Sequence, residues 1–368
     1  MVIKTKKSES NDNNFNYFIK SDLYEILERT KENLDKLSDK SVLITGAAGF
    51  LGRYFVALFQ LYNLNNLNPI KIVALDNHIT SLKLDKYDER KTDPNIEWIV
   101  GDAEIGAKLP DNFEYILHIA GVASPVHYQA HPLETIDVTV NATRLLLEKA
   151  KNLGARLLYF SSSEIYGDPD AAQIPTHENY RGNVSPRGPR ACYDESKRLG
   201  ETLCWVYENY FKVHASVVRP FNIYGPGMMP NDYRVMPNFA SALISGDSLK
   251  VYGKGNQTRT FCYVTDAVVA FIKILTEGKN PDVYNVGNPT PEISMLELAS
   301  LFLNINNIEG QIETINYPSQ YPTDDPSRRC PNINKLQSDF NFKPLVDLPE
   351  GITRFSQWTQ ENYPKLKL

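Results

Sequence analysis

A glycine-rich turn that begins at residue 46 constrains the fold of this chain more than any other feature. The apolar run SVLIT leads directly into Gly46, Gly49 and Gly52, which have the spacing G-x-x-G-x-x-G, and a helical pattern follows. The first glycine permits a tight turn, the second lets a phosphate approach the backbone, and the third allows the helix to pack closely on the strand. The free N–H groups of that helix would face the phosphates. The turn therefore predicts an α/β fold that binds a dinucleotide.

Short apolar runs alternate with longer helical patterns between residues 41 and 219. They have the length of buried strands, and their alternation with helices is typical of a parallel sheet covered on both faces. The runs are Ser41–Thr45, Ile70–Leu75, Ile96–Val100, Tyr115–Ile119, Arg156–Phe160 and His214–Arg219. We therefore predict the α/β fold class, with a Rossmann-type doubly wound parallel sheet and a smaller C-terminal substrate-binding lobe.

The same patterns divide the chain into three parts. Residues 1–40 form an N-terminal extension with an amphipathic helix, because apolar residues recur there at helical spacing. Residues 41–224 and 260–286 form the Rossmann domain, which binds the cofactor. Residues 225–259 and 287–368, which are richer in proline, glycine and asparagine at their start, form the substrate-binding lobe.

Charge and composition exclude several classes of protein. The 368 residues carry a formal net charge of −5, which gives no electrostatic case for binding nucleic acid. We expect no membrane span, because no stretch of about 18 apolar residues occurs. The four cysteines form no C-x-x-C pair and have no histidine at zinc spacing, so no metal site is predicted. Sparse cysteines in so long a chain are typical of reduced thiols, and we expect a cytoplasmic location.

Two acidic residues extend the cofactor site. Asp76 ends the run IKIVALD, about 20 to 30 residues after the glycines, where an acid binds the adenosine ribose hydroxyls. No arginine follows it to hold a 2′-phosphate, so NAD is favoured over NADP. Asp102, after the run IEWIV, is placed to accept from the adenine amino group, with a loop cap as its alternative role. The predicted cofactor contacts also include residues that adjoin these features: Phe50, Leu51, Asn77, Ala103 and Ala120.

A tyrosine and a lysine four residues apart form the predicted chemical centre. Tyr193 and Lys197 would share one face of a helix. A free tyrosine has a pKa near 10, which is too high for a base at neutral pH. A nearby ammonium group and a positive nicotinamide ring would lower that pKa. Tyr193 could then take a proton from a sugar hydroxyl while hydride leaves for the nicotinamide. Both residues are therefore also predicted to contact the cofactor.

Polar residues follow the strand RLLYF, where ligands of open α/β sheets bind. Ser162 is a candidate to hydrogen-bond the reacting sugar oxygen, and Ser163 is a candidate substrate contact. A helix cap is the alternative role for a serine in this position. A carboxylate beside a reacting carbon costs free energy unless it has a function there. We therefore expect Glu164 to act as a base or to accept a hydrogen bond from the substrate.

These motifs together resemble the extended short-chain dehydrogenase/reductase family, in its NAD-dependent nucleotide-sugar epimerase/dehydratase group. The resemblance runs from about residue 41 to about residue 359 and is greatest to the UDP-glucuronate decarboxylases, or UDP-xylose synthases. It is densest in the segments SSSEIYGDP, GPRACYDESKR, RPFNIYGP, NDYRVMPNF, VYGKGNQTRTFCYVTD and TDDPSRRCPN.

Two places in the sequence resemble the decarboxylases in particular. The 4,6-dehydratases of the group carry Thr-Asp-Glu after the fifth strand, and their aspartate protonates a leaving hydroxyl. This chain has Ser162, Ser163 and Glu164 there, so that acid is missing. Arg329 matches an arginine that decarboxylases set beside the sugar carboxylate, to which a guanidinium group can bind in a fork. Its alternative is a solvated surface arginine.

The resemblance implies a three-step conversion of UDP-glucuronate to UDP-xylose. Tyr193 takes the C4 hydroxyl proton and hydride moves from C4 to NAD. The resulting β-keto acid loses carbon dioxide, with Ser162 and Tyr193 stabilising the enolate oxygen. C5 is then reprotonated and NADH returns hydride to C4. If the last step failed, the enzyme would release a 4-keto pentose and NADH.

The resemblance also implies further contacts and a dimer. Asn222 and Arg259 would meet the diphosphate, Val251 or Tyr252 would lie near the base, and Asn141 would be a structural and cofactor-site asparagine. The helices predicted at residues 137–151 and 196–210 pair in relatives into a four-helix bundle, so we expect a homodimer. The chain departs from the family at Gly227, where decarboxylases usually have a basic residue, and in its first 40 residues.

Two other functions remain open at this point. The chain could be a dehydratase or epimerase that acts on a neutral nucleotide sugar; the missing aspartate argues against the first, and Glu164 against a simple epimerase. It could instead be a non-catalytic regulator that binds NAD. A regulator would require a broken catalytic set, whereas Ser162, Tyr193 and Lys197 are all present.

Overall fold

The computed structural model describes residues 16–81, 93–104, 109–278, 281–317 and 326–366. The first 15 residues of the predicted N-terminal extension therefore lie outside the described residues. The strands, in chain order β1 to β14, are Ser41–Thr45, Lys71–Asp76, Ile96–Val100, Tyr115–His118, Arg156–Phe160, Ala215–Pro220, Ile223–Tyr224, Leu249–Tyr252, Thr258–Arg259, Cys262–Tyr263, Val283–Val286, Ile293–Ser294, Ile312–Ile315 and Arg328–Arg329.

The α-helices lie between several of these strands. In chain order α1 to α10, they are Lys20–Asp35, Phe50–Asn63, Pro125–Ala130, Pro132–Leu153, Ala191–Phe211, Val235–Ser245, Val264–Glu277, Met295–Asn306, Asn334–Phe340 and Leu348–Asn362.

Seven strands form one parallel sheet in the order β11-β6-β5-β4-β1-β2-β3. The prediction of a doubly wound parallel sheet is confirmed. Strand order reverses between β1 and β4, and ligands of such sheets bind in the crevice beyond the strand ends at that point. Thr45 and His118 are paired in register there, and the Thr45 hydroxyl lies 2.8 Å from His118 Nδ1. Both side chains are fully buried and join the ends of the two strands.

Both faces of the sheet are covered by apolar residues. One face packs against α2 and α7, and α1 joins the same core through Ile26 and Leu34. The other face packs against α4 and α5, through residues such as Leu146 and Cys204. Polar contacts also fix α1, because Asp22 accepts a hydrogen bond from the Tyr263 hydroxyl at 2.6 Å. The helix of the extension is therefore part of the main body.

Short strands and helices after β7 build a smaller unit beside the sheet. Strand β8 pairs with β13, and β9 lies between β12 and β14. The pairing of β14 with β9 sets Arg329 opposite Arg259. This register brings an arginine from near the end of the chain to the mouth of the crevice. The division into two lobes at residues 225, 260 and 287 stays a prediction.

Several predicted element bounds are shifted. The helix predicted at residues 137–151 begins earlier, at Pro132, because proline is favoured in a first helical turn, and it ends before Gly154 at φ +67°. The helix predicted at residues 196–210 begins at Ala191, so Tyr193 and Lys197 both lie near its start. The second and sixth strands lie one residue later than predicted.

Candidate active site

A cavity of 1210 Å³ follows the crevice from the end of β2 to the smaller unit. Most of the predicted site residues line it. The cofactor candidates among them are Gly46, Gly49, Phe50, Leu51, Gly52, Asp76, Asn77, Asp102, Ala103 and Ala120. The catalytic and substrate candidates among them are Ser162, Ser163, Glu164, Tyr193, Lys197, Asn222, Val251, Tyr252, Arg259 and Arg329.

The glycine turn has the shape that a dinucleotide diphosphate requires. Gly46 has φ +70°, and a Cβ there would lie 2.8 Å from the Ala120 backbone. A Cβ at Gly52 would overlap the Gly46 carbonyl oxygen, whereas a Cβ at Gly49 would meet only that oxygen, at 3.2 Å. On its buried side the turn therefore has no room for a Cβ at Gly46 or Gly52. Its other side lines the cavity. The residues present fit an NAD molecule.

The acidic end of β2 is held by its neighbours. Asp76 is 8% exposed and accepts hydrogen bonds from the Ala48 and His78 backbone N–H groups at 2.9 and 2.8 Å, and from the Ser81 hydroxyl at 2.9 Å. Asp102 accepts from the Asn77 amide at 2.5 Å. Asp76 therefore has a fixed carboxylate at the cavity wall, tied to the glycine turn through Ala48.

Tyr193 and Lys197 lie side by side, as their spacing predicts. Lys197 Nζ lies 5.8 Å from the centre of the Tyr193 ring and donates a hydrogen bond to the Phe160 carbonyl at 2.7 Å. Tyr193 is 5% exposed, and its hydroxyl shares a hydrogen bond with Ser162. The Ser162 hydroxyl also accepts from the Glu164 backbone N–H at 3.2 Å. The serine thus has both a helix-capping contact and a contact with the tyrosine.

Burial sets the acid–base properties of this pair. Desolvation raises the pKa of Tyr193, while its hydrogen bond with Ser162 and the nearby Arg190 and Arg234 act in the opposite direction. Burial also lowers the pKa of Lys197 to about 8, and Glu201 partly counteracts that change. Formation of the phenolate therefore needs the positive charges that surround the ring.

Glu164 is enclosed by two arginines. Arg329 donates two hydrogen bonds to its carboxylate, at 2.7 and 2.8 Å, and Arg190 forms an ion pair with the same group. Both arginines are buried, and Arg190 also lies 3.3 Å from Asp194. We call Glu164, Arg190 and Arg329 the arginine cluster. Arg329, predicted beside a sugar carboxylate, is in this structure paired with the protein's own carboxylate, because the pairing of β14 with β9 brings it there.

The far end of the cavity carries the candidates for nucleotide binding. Asn222 donates to the Thr260 carbonyl at 2.8 Å, and Arg259 is 8% exposed. Tyr252 stacks on Tyr317 with ring centres 5.6 Å apart, and Val251 lies in the core.

The role implied for Asn141 by the resemblance is not supported by its position. This residue is exposed on α4 and does not line the cavity. Its amide donates to Asp137 at 2.9 Å, one helical turn earlier. The helix turns Asp137 and Val138 toward the cavity instead.

Sequence reasoning missed two arginines. Arg190 belongs to the arginine cluster, and Arg234, which pairs with Asp232 at 2.5 Å, faces Tyr193 closely enough to influence the tyrosine's pKa. Both stand in segments that carry the family resemblance, GPRACYDESKR and NDYRVMPNF. Their place within those motifs was the available signal.

Within the described ranges, neither a membrane-spanning helix nor a metal-binding cluster is found. No helix there combines the length and apolar composition that a bilayer crossing requires. No group of three or more histidine, cysteine or acidic side chains in the same part of the chain is arranged to hold a metal ion.

Residues 42–287 match the NAD dependent epimerase/dehydratase family. The chain therefore belongs to that family, which confirms the resemblance. The description of the family names NAD, the predicted cofactor. Among curated relatives, a UDP-glucuronic acid decarboxylase of Xenopus tropicalis is 36% identical over 87% of this chain and 72% of its own. A UDP-glucuronic acid decarboxylase of Arabidopsis thaliana is 37% identical over 86% of this chain and 87% of its own.

A solved structure supports the fold. A dTDP-glucose 4,6-dehydratase from Streptomyces venezuelae, determined with NAD bound, superposes with a TM-score of 0.77. It is 22% identical, and the match covers 89% of this chain and 99% of that one. At this identity the likeness concerns the fold alone.

Proposed function

We propose that this protein is an NAD-dependent lyase that decarboxylates UDP-glucuronate to UDP-xylose. The observation that carries the proposal is the position of Arg329, which lies against Glu164 although the two residues are 165 positions apart. An arginine fork is suited to a carboxylate. The names of the relatives, at 36 and 37% identity over most of the chain, support the same reaction.

The proposed chemistry assigns a role to each residue of the centre. Tyr193 accepts the proton of the C4 hydroxyl, Ser162 holds the same oxygen, and the Lys197 ammonium group stabilises the phenolate. When bound, NAD supplies a hydride acceptor for C4 and later the hydride that restores it. Oxidation at C4 makes the neighbouring carboxylate that of a β-keto acid, so the electrons left by departing carbon dioxide are delocalised into the ketone.

The arginine cluster would serve the acidic group of the sugar. In the proposal, the substrate carboxylate takes the place of Glu164 on Arg329, with Arg190 keeping the glutamate within reach. Glu164 then accepts a hydrogen bond from the substrate. Exchange of one carboxylate for another keeps both buried guanidinium groups paired, which avoids the cost of a lone buried charge.

The charge of the cavity wall supports a polyanionic substrate. From residue 161 onward the cavity-lining residues include more cations than anions. The cations are Arg190, Lys197, Arg234, Lys250, Arg259 and Arg329, and the anions are Glu164, Asp232 and Asp247. In the proposal, Asn222 and Arg259 bind the diphosphate, and Val251 and Tyr252 lie near the base. NAD would occupy the other part, along the glycine turn and between Asp76 and Asp102.

The test gives the purified protein UDP-glucuronate and NAD, and then neutral UDP-, dTDP-, GDP- and CDP-sugars. We expect mass spectrometry to show loss of carbon dioxide from the uronate alone. Loss of water from a neutral sugar, with the uronate untouched, would instead identify the dehydratase that the sequence left open. Binding of NAD without turnover of any sugar would identify a regulator.

The proposed assembly is a homodimer through α4 and α5. Large apolar side chains are exposed on these helices, among them Leu133 and Ile136 on α4 and Leu199, Trp205 and Phe211 on α5. Burial of such residues between two copies would form a four-helix bundle. We expect light scattering to give a dimer and Leu199→Asp to give a monomer; a monomeric wild type would contradict this. A cytoplasmic location stays a prediction, with which four free cysteines are compatible.

A further inference from the structure

Residues 16–18, which we call the N-terminal strap, contact both α10, near the end of the chain, and α2, the helix that follows the glycine turn. The Asn16 carbonyl accepts a hydrogen bond from the Trp358 indole N–H at 2.6 Å. The Asn16 backbone N–H donates to the Asn362 side chain at 2.9 Å. The Phe18 ring meets Tyr54 edge to face, with ring centres 4.9 Å apart. The strap precedes the family-matched range, which begins at residue 42. It therefore adds a contact to the cofactor domain from outside that range.

The middle residue of the strap stacks on an arginine of the glycine turn. The guanidinium carbon of Arg53, the residue after the third glycine, lies 3.9 Å from the centre of the Tyr17 ring. Arg53 is 2% exposed and lines the cavity, and its Nε donates to the Ala48 carbonyl at 2.5 Å. The Ala48 N–H donates to Asp76. Contacts thus run from Tyr17 through Arg53 and Ala48 to the acid at the end of β2.

A glycine in the opposite loop leaves room for this arrangement. A Cβ at Gly227 would lie 3.4 Å from the Tyr17 carbonyl oxygen and 3.5 Å from the Phe50 ring. The Tyr54 hydroxyl donates to the Pro226 carbonyl at 3.0 Å, which fixes that loop to α2. The strap, the first turn of α2 and the 225–227 loop therefore pack together, and Phe50 and Gly227 also line the cavity.

We propose that the strap retains the dinucleotide, because Tyr17 holds Arg53 and Arg53 holds the glycine turn in its binding shape. The inference rests on the proposed function, in which the reduced cofactor must stay bound between two hydride transfers. If it leaves after carbon dioxide is lost, the sugar keeps its C4 ketone and two electrons leave as NADH. Retention therefore decides between a complete cycle and release of a 4-keto sugar. Tyr17 and Arg53 are positioning residues and need not touch the substrate.

The test compares Tyr17→Ala with Tyr17→Phe, which keeps the ring. NADH dissociation is measured by fluorescence after excess NAD is added, with no sugar present. Loss of the cation–π contact with the buried Arg53 should speed dissociation about tenfold in Tyr17→Ala and leave Tyr17→Phe unchanged. The matched control is Tyr24→Ala on α1, whose side chain is 59% exposed. Equal rates in wild type and Tyr17→Ala would overturn the proposal, as would a Tyr17→Phe as fast as Tyr17→Ala.

A second readout follows the fate of the sugar. With UDP-glucuronate, Tyr17→Ala should release more NADH and 4-keto sugar per carbon dioxide than wild type. Because dissociation is measured without sugar, the inference can fail while decarboxylation stands, and the reverse. Should Tyr17→Ala not fold, Tyr17→Leu fills the space without an aromatic face, and the same tenfold change is expected of it. Unchanged dissociation in a folded Tyr17→Leu would also overturn the proposal.

Discussion

In the proposed function the cavity has a cofactor part, along the glycine turn and the end of β2, and a substrate part around the arginine cluster, and these two parts are built in different ways. The cofactor part depends on the backbone of one short segment, from Gly46 to Gly52, where added Cβ atoms would clash with the chain itself. The substrate part depends on side chains that distant elements bring together, such as Glu164, Arg190 and Arg329. The first can be recognised in seven consecutive residues, whereas the second exists only in the folded chain.

The two parts also differ in charge. Before residue 161 the charged residues that line the cavity are one cation and five anions: Arg53, Asp76, Asp102, Glu104, Glu134 and Asp137. Beyond that residue the cations outnumber the anions. Backbone N–H groups at a helix start can hold a diphosphate without cationic side chains. A substrate that carries a sugar carboxylate and a diphosphate needs the side-chain charges of the second part.

The largest effect should come from Tyr193, which stands where the two parts meet. Tyr193→Phe removes the phenolic hydroxyl group but keeps the ring, which stacks on Tyr128 with ring centres 5.3 Å apart. Loss of the proton acceptor should lower kcat about 1000-fold while NAD still binds. Tyr128→Phe, the same change on the stacked ring outside the cavity lining, is the control. Steady-state kinetics and NAD titration check this, and a kcat within about tenfold of wild type would remove Tyr193 from its role.

A smaller but selective loss is expected at Arg329. Arg329→Ala deletes the fork on Glu164 and should lower kcat/KM for UDP-glucuronate about 100-fold, as expected for loss of one partner of a buried charge pair. The affinity for NAD should not change, because the two parts are separate. Arg328→Ala is the matched control, since Arg328 is an exposed neighbour paired with Glu292. Equal losses of NAD binding and turnover would break the distinction between the two parts.

The reverse selectivity is expected at the glycine turn. Gly52→Ala places a Cβ against the Gly46 carbonyl oxygen and must displace α2. Overpacking of this kind should weaken NAD binding about tenfold, and turnover at saturating NAD should recover. Gly310→Ala is the control, because its Cβ would meet only side-chain atoms, those of Leu303 and Ile308. Isothermal titration with NAD measures the effect, and unchanged affinity would show that this contact is not needed.

The sequence allowed the cofactor part to be predicted because its determinants are local. The turn at Gly46 and the pair Tyr193 and Lys197 each lie within one strand–helix or helical segment, so spacing alone predicts their geometry. The sheet followed from the alternation of short apolar runs with helices, and its strand bounds differ by about one residue where apolar content does not fix the register.

The substrate part could be predicted only where the resemblance supplied the residue. Arg329 was found in this way, but its pairing with Glu164 depends on how β14 joins β9, which no local pattern encodes. Arg190 was missed although it stands three residues before Tyr193, because an arginine at a helix start has no spacing signature. The strap was missed for the same reason: the contact between Tyr17 and Arg53 joins a terminal segment to a turn in the fold.

The smallest predicted effect is a change in the pH dependence of activity. It depends on Lys197 and Glu201, which both lie on α5. Burial lowers the pKa of Lys197 to about 8, and the negative charge of Glu201, one turn further along α5, counteracts this. As pH rises through that value, the ammonium group is lost and the Tyr193 phenolate is stabilised less. The contribution of Lys197 to activity should therefore be complete below about pH 8 and be lost above it, by up to about tenfold per pH unit.

Glu201→Gln should move this alkaline limb to lower pH by roughly one unit, because removal of a nearby negative charge favours the neutral lysine. Glu201 also accepts hydrogen bonds from Ser161 and Arg219, so a melting curve must accompany the kinetics. Glu208→Gln on the same helix is the control, since Glu208 is not among the causes of the lysine's shift. If the profile of kcat/KM against pH is identical in wild type and Glu201→Gln, Lys197 does not set the alkaline limb. The positive charge that stabilises the Tyr193 phenolate would then have to come from the arginines of the substrate part.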